Sequence, residues 1–187
     1  MAVSLPLSKA SVRPVLTGLV GAFVTTACAH LPVGDSITTS TYEATATVTY
    51  TWQVEYTEQS DRPNDTRRET FTSTSLVNRN GLEPDRAATG PDDQGLYWPA
   101  LPPRPTATEL RASQEKAGNQ RSRGPQLIKD VDYAITFDHN NRRQTLPTNA
   151  DVYWEAIQAY DQGQDLELTY GPNQAAIAAA QPVRSSR

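Results

Sequence analysis

Two carboxylates, Asp130 and Asp132, are the residues of this sequence whose type and spacing best suit acid–base catalysis or cation binding. Side chains two residues apart on a β-strand point to the same side, so both acids would face away from Val131 and Tyr133. A pair of carboxylates can act as general acid and general base, or can bind a cation. It can also form the charged outer face of an edge strand, which discourages association between sheets. We keep Asp130 and Asp132 as candidate binding residues and predict no catalytic residue.

Histidine is the general base most often used near neutral pH, and the chain contains only His30 and His139. His139 lies in DHNN, a composition typical of an exposed turn. The sequence contains no nucleophile elbow, zinc-protease motif, phosphate-binding loop or dinucleotide fingerprint. We therefore predict no metal site and no cofactor, and a binding protein is favoured over an enzyme.

The segment YWPALPPRP, Tyr97 to Pro105, combines two aromatic residues with two overlapping P-x-x-P spacings. Proline-rich segments of this kind can bind an aromatic-lined groove of a partner. Alternatively, the segment packs along the domain's own sheet and buries the ring of Trp98. Tyr97 and Trp98 are therefore candidate binding residues, with intramolecular packing as the alternative.

The N-terminal residues have the composition of a secretory signal. Residues 1–27 contain Lys9 and Arg13 but no acid, followed by an apolar run of ten residues, Val15 to Val24. A membrane-spanning helix needs about 20 apolar residues, so we expect this segment to be cleaved. The sequence TTAC, ending at Cys28, resembles the lipobox of bacterial lipoproteins, although Thr25 stands where an aliphatic residue is usual.

That resemblance implies a cut before Cys28, the only cysteine of the chain, and lipidation of its thiol. Two or more acyl chains anchor a protein stably at a bilayer, whereas one does not. The implied location is the bacterial cell envelope, with the folded part facing the periplasm. A cut after Ala29, giving a secreted protein, and an uncleaved anchor are the alternatives.

Composition limits the class of partner. The full chain has a formal net charge of −4, and loss of residues 1–27 would leave 15 basic and 21 acidic residues. Nucleic-acid binding depends on clustered Lys and Arg, so we predict no nucleic-acid partner.

Alternating apolar and polar residues predict a long strand from Tyr42 to Thr57, with a bend or bulge near Ala44 and Ala46. A second strand, residues 68–78, would pair with it as an antiparallel hairpin and place Phe71 and Val77 on one face.

Residues 78–126 are rich in Pro and Gly, and we predict that they form an irregular loop. We expect a marginal helix within it, beginning at a capping box, Thr106 to Glu109. Two further strands follow, beginning at Gln126 and Arg142. A helix then carries a stripe of Tyr153, Ala156, Ile157 and Tyr160, capped by Thr148 or Asn149, and a last strand follows at residues 166–170.

This order predicts an α+β fold, with a small antiparallel sheet of about five strands and one main helix packed on it. The expected organisation is a signal peptide at 1–27, a lipidated tether at 28–41, the domain at 42–171 and a flexible tail at 172–187. The expected function is that of a lipid-anchored envelope protein whose domain binds an envelope component or has an accessory structural role. A hydrolase acting on envelope material through strand carboxylates, and a small-molecule carrier, are the alternatives.

Overall fold

The computed structural model of the chain describes residues 34–57 and 66–184. The predicted signal peptide, Cys28, His30 and residues 58–65 lie outside the described residues. Within those ranges the chain forms the following helices and strands: β1 (Ser36–Thr39), β2 (Tyr42–Thr57), β3 (Thr66–Arg79), α1 (Ala107–Ala117), β4 (Arg121–His139), β5 (Arg142–Thr148), α2 (Ala150–Asp161), β6 (Asp165–Tyr170), a 3-10 turn (Pro172–Gln174) and β7 (Ile177–Val183).

The strands form two antiparallel sheets, one with the order β3-β2-β4-β5 and one with the order β1-β6-β7. The predicted α+β class is confirmed. The prediction of one sheet of about five strands was too simple, because the described residues form seven strands in two sheets.

The second sheet contains two segments, β1 and β7, that we predicted to be parts of the tether and the flexible tail. Strand β1 pairs with β6 from Ser36 to Thr39, and β7 pairs with the other edge of β6. In β7 the large buried side chain is that of Ile177, and the three residues after it are alanines, which give little sign of an apolar face. Such short segments carry no clear period, and the exposed edges of β6 supply the hydrogen bonds that make them strands.

The long hairpin of β2 and β3 is antiparallel, as predicted. The register shifts between Thr51 and Gln53 on the β3 side and between Gln53 and Glu55 on the β4 side, so the irregularity lies near Trp52 and not at the alanine pair. An extra residue in the partner strand reverses which side chains face the core.

The core side of β3 therefore differs from the prediction. In the part of β3 that follows the register shift, Leu76 and Asn78 are buried, whereas Val77 is exposed. Phe71 and Val77 consequently do not share one buried face.

Helix α2 packs against both sheets, and its most extensive contacts are with β7 of the smaller one. Asn149 caps it by accepting a hydrogen bond from the backbone N–H of Val152 at 2.9 Å. Both sheets and α2 share one hydrophobic core, to which β2, β4 and β6 contribute alternate residues. The buried residues of α2 are Val152, Tyr153, Ala156, Ile157 and Ala159.

Strand β4 begins at Arg121, inside the segment predicted as a loop, because Arg121 and Arg123 pair with Thr57 and Glu55 of β2. Helix α1 begins at the predicted capping box: Thr106 accepts from the backbone of Glu109, and Glu109 accepts from the backbone of Thr106. No helix within the described ranges is long and apolar enough to cross a membrane.

Candidate functional site

A surface cleft lies between helix α2 and the loop that follows β3. It has a volume of about 450 Å³ and is open to solvent on one side. We call it the α2 cleft, and define it by Trp154, Ile157, Gln158, Tyr160 and Asp161 of α2 together with Asn80, Gly81, Leu82, Pro91, Asp92 and Gly95 of the loop.

The helical wall of the α2 cleft is aromatic and partly exposed. The side chain of Trp154 is 40% exposed and that of Tyr160 is 43% exposed. Residues at i, i+4 and i+7 share one face of a helix, which places Trp154, Gln158 and Asp161 in a row along the cleft. The sequence stripe put Tyr160 in the core, but its ring lies at the surface and makes an edge contact with Tyr42, 6.4 Å between centroids.

The loop wall begins with a tight turn at the end of β3. Asn80 and Gly81 both have positive φ, as a two-residue hairpin turn requires, and the backbone N–H of Leu82 donates to the Arg79 carbonyl at 2.9 Å. The Asn80 side chain accepts a hydrogen bond from the backbone N–H of Ala44 at 2.7 Å. This turn holds Leu82, which is 58% exposed, at the rim of the cleft.

Asp92 fixes the rest of the loop. One oxygen of its carboxylate accepts from the backbone N–H groups of Gln94 and Leu96, at 2.9 and 3.0 Å, and the other accepts from the indole N–H of Trp98 at 2.9 Å. Gly95 then approaches α2 so closely that an added Cβ would lie 2.7 Å from Ile157. The cleft is therefore preformed, which reduces the entropy lost when a ligand binds.

The negative charge of the domain is concentrated in the two segments that form this cleft. Residues 80–98 and 150–161 contain seven acidic residues and one basic residue, Arg86. The other described residues contain 11 acidic and 12 basic residues, so they are close to neutral. Among the described residues, no lysine or arginine lines the α2 cleft.

A buried phenol lies beneath the loop wall. The Tyr153 hydroxyl has no hydrogen-bond partner of good geometry among the described residues, although the backbone N–H of Gly81 lies near enough to affect it. Burial raises the pKa of Tyr153 to about 12, and the nearby Gly81 backbone amide acts in the opposite direction. Its ring packs on Tyr133, 5.5 Å between centroids. Tyr153 is thus a neutral core residue at any physiological pH.

Tyr160 also borders a second, smaller cleft of about 320 Å³, next to Tyr42 and Asp165. The Tyr42 hydroxyl donates to the Gln164 carbonyl at 3.0 Å. Burial, with the nearby carboxylate of Asp165, raises the pKa of Tyr42 to about 12.

The candidate carboxylates Asp130 and Asp132 lie on the open face of the larger sheet, opposite Thr49 and Thr47 of β2. Both are exposed. They share one face as expected, but they lie on a solvated sheet surface and line none of the clefts described above.

The other two candidate binding residues belong to the domain's interior. Trp98 is 8% exposed, and its ring contacts Tyr50 at 5.7 Å and the Lys129 ammonium at 3.4 Å from the ring centroid. Tyr97 is half-buried and exchanges backbone hydrogen bonds with the Asn78 side chain. The aromatic part of this segment is therefore used for packing.

A buried hydroxyl cluster joins α1 to the larger sheet. Ser113 is hydrogen-bonded to the Tyr56 hydroxyl and donates to the Glu69 carboxylate at 2.6 Å. Arg67 pairs with the same carboxylate at 3.0 Å. Ser113 and Tyr56 are almost fully buried, so this cluster holds the helix in place and offers no access to a substrate.

Sequence reasoning missed most of the α2 cleft. No sequence pattern singles out Leu82, Asp92 or Asp161, and the helical stripe predicts that Tyr160 faces the core. The available signals were the Asn80-Gly81 turn and the alternation of acids with aromatic residues in α2. Within residues 34–57 and 66–184 no group of His, Cys, Asp or Glu side chains is arranged to hold a metal ion.

Comparisons of the chain with protein-family models, with curated proteins and with solved structures give no match.

Proposed function

We propose that this protein is a lipid-anchored component of a bacterial cell envelope whose domain binds another envelope component through the α2 cleft. The observation that carries the binding role is the exposure of Trp154 and Tyr160 on a preformed cleft wall. Exposed aromatic residues beside a few polar groups are typical of binding sites. The anchor is supported by the signal-like residues 1–27 and the position of Cys28.

A tether would give such a domain its reach. Residues 29–35 separate Cys28 from β1, and seven extended residues span at most about 25 Å. A domain held this close to a bilayer surface meets membrane proteins and other envelope molecules at high effective concentration. A binding or structural role needs no catalytic group.

The anchor is tested by growing the source bacterium with a clickable fatty acid. We expect the wild-type chain to incorporate the label and Cys28→Ala to lose both the label and the membrane association. Labelled Cys28→Ala, or a mature N-terminus that begins at His30, would contradict lipidation at this thiol.

The binding role is tested with a photo-activated cross-linking amino acid placed at Gln158, inside the α2 cleft, and at Asn119, an exposed position after α1. We expect illumination of cells to trap a defined partner from position 158 but not from position 119. Equal trapping from both positions, or none from 158, would contradict binding through this cleft.

A further inference from the structure

The three tryptophans of the domain differ in how their ring faces are occupied. Arg104 lies over Trp52, 5.6 Å from its ring, and Lys129 lies over Trp98 at 3.4 Å. No cation of the described residues lies over Trp154, although this ring is 40% exposed and therefore accessible. A cation over an indole face is a favourable contact, and the domain itself makes that contact at the other two tryptophans.

The charge around Trp154 suits a cation from outside the chain. The segments that form the α2 cleft contain seven acidic residues against one basic residue, whereas the rest of the described domain is nearly balanced. Two of these acids, Asp92 and Asp161, line the cleft itself. An acidic surface attracts cationic partners and repels anionic ones. Phosphate-bearing ligands and anionic lipid headgroups are therefore disfavoured, since no lysine or arginine of the part of the chain that the structure describes lines the cleft.

The polar groups of the cleft indicate which kind of cationic ligand would fit it. Oδ1 of Asp92 accepts two internal hydrogen bonds and Oδ2 accepts one, so most of the hydrogen-bonding capacity of this carboxylate is used within the loop. Asp161 lies seven residues after Trp154 on the same helix, about 10 Å along its axis. Gln158 lies between them and can hydrogen-bond to an extended backbone. A basic side chain on Trp154 and a second one at Asp161 would match this spacing, at three to four extended residues.

From these observations we infer that the α2 cleft binds a segment of a partner protein that presents two basic side chains, one stacked on Trp154 and one paired with Asp161. This inference rests on the proposed binding function and adds the chemistry of the partner. The exposed Leu82 at the opposite rim offers an apolar contact to the same segment.

The test uses the full chain purified from membranes in detergent and three probes: a short Lys- and Arg-containing peptide, a peptide of equal length with Glu in place of those residues, and an oligosaccharide of N-acetylglucosamine. Binding is measured by calorimetry at two salt concentrations. We expect only the basic peptide to bind, and less tightly at high salt, because ions screen exposed charges.

Matched variants connect the binding to the cleft. Trp154→Ala should weaken binding of the basic peptide by about 2- to 30-fold through loss of the ring contact. Asp161→Asn should weaken it by about 2- to 5-fold. Glu115→Gln removes the same charge from an exposed residue of α1, outside the two acidic segments and the cleft, and should change binding less than 2-fold. Unchanged thermal unfolding of Asp161→Asn excludes a folding defect as the cause.

Several results would overturn the inference. They are binding of the acidic peptide or of the oligosaccharide in preference to the basic peptide, equal losses in Asp161→Asn and Glu115→Gln, and no loss in Trp154→Ala. If the basic peptide fails while position 158 still traps a partner in cells, the proposed binding function stands and the basic-partner inference is wrong. If position 158 traps nothing, both fail.

Discussion

The side chain of Asn78 pairs with the backbone of Tyr97 as a neighbouring strand would. Its Oδ1 accepts from the Tyr97 N–H at 2.7 Å, and its Nδ2 donates to the Tyr97 carbonyl at 3.0 Å and to the Ala46 carbonyl at 3.3 Å. Asn78 is fully buried. One amide therefore joins β2, β3 and the loop that forms the second wall of the α2 cleft.

Replacing Asn78 with Ala should destabilise the domain by about 1–3 kcal/mol, because the Tyr97 N–H is left without its partner in a part-buried site. The measurement is the free energy of unfolding from chemical denaturation. Asn119→Ala, an exposed change of the same type, is the control and should stay within about 0.5 kcal/mol of wild type. A similar loss in both variants would contradict the role of Asn78.

Gly95→Ala should force either the loop or the Cδ1 methyl group of Ile157 to shift. The new Cβ would lie 2.7 Å from Ile157, and the residue has a φ of +71°, which L-residues adopt at a cost. Gly163→Ala is the matched control, since Gly163 has a φ of +62° and no atom within 4 Å of the added Cβ.

The difference between the two glycine variants isolates the steric clash. We expect Gly95→Ala to lose about 1–3 kcal/mol of unfolding free energy more than Gly163→Ala. Binding to the α2 cleft should weaken only in Gly95→Ala. Equal stabilities for the two variants would show that the loop does not pack on Ile157 as described.

Ser113→Ala should loosen helix α1, because Ser113 links the helix to Tyr56 and Glu69 and is its only buried residue. Loss of these hydrogen bonds should speed amide hydrogen exchange in α1 by about 5- to 150-fold, while exchange in β2 away from Tyr56 stays unchanged. Thr108→Ala, exposed on the same helix, should have little effect. Unchanged exchange in Ser113→Ala would mean that other contacts hold α1.

Tyr42→Phe should change the pH dependence of the protein's stability only at alkaline pH. At lower pH it should change the free energy of unfolding by a constant amount. The phenol has a pKa of about 12 when folded and an ordinary value of 10.0. Below pH 10 it is neutral in both states, so its contribution does not vary with pH. Between about pH 10 and pH 12 the unfolded chain loses this proton first, and stability falls as pH rises.

Removal of the Tyr42 phenol should therefore make that alkaline decline shallower. The measurement is denaturant unfolding at a series of pH values, with tyrosinate absorbance recorded in parallel. A decline as steep as that of wild type would contradict the assigned pKa of Tyr42.

Tyr153→Phe should be neutral or stabilising at neutral pH. The Tyr153 hydroxyl is buried without a hydrogen-bond partner of good geometry among the described residues, and an unsatisfied buried polar group costs about 1–3 kcal/mol. Tyr42→Phe is the contrast, because it removes a hydroxyl that donates to the Gln164 carbonyl and should lose about 0.5–1.5 kcal/mol. Destabilisation in Tyr153→Phe would show that this hydroxyl has a partner after all.

Local patterns in the sequence predicted the parts of the fold that depend on local physics. The alternation from Tyr42 to Thr57 predicted β2, the spacing of Thr106 and Glu109 predicted the start of α1, and Asn149 was one of two predicted caps of α2. A strand that buries one face must alternate, and a helix end must satisfy its free backbone N–H groups, wherever the segment lies in the protein.

The candidate site depended on contacts that no local pattern encodes. Trp98 and Trp154 are the same residue type, so the sequence does not distinguish their positions. In the structure Trp98 is buried beneath Lys129, whereas Trp154 lies partly exposed in the wall of a cleft. The rotation of α2 about its axis decided which of its aromatic residues met the core, and that rotation was set by both sheets together.

The sequence by itself determined the α+β class, the long hairpin, the two helices and the signal-like N-terminal segment, because each follows from a short-range period or a composition. The tertiary structure decided that residues 36–39 and 177–183 become strands, that Leu76 and not Val77 faces the core, and that acidic segments far apart in the chain form one cleft. These outcomes depend on which backbone edges and apolar faces lie next to one another, and that is a property of the folded chain as a whole.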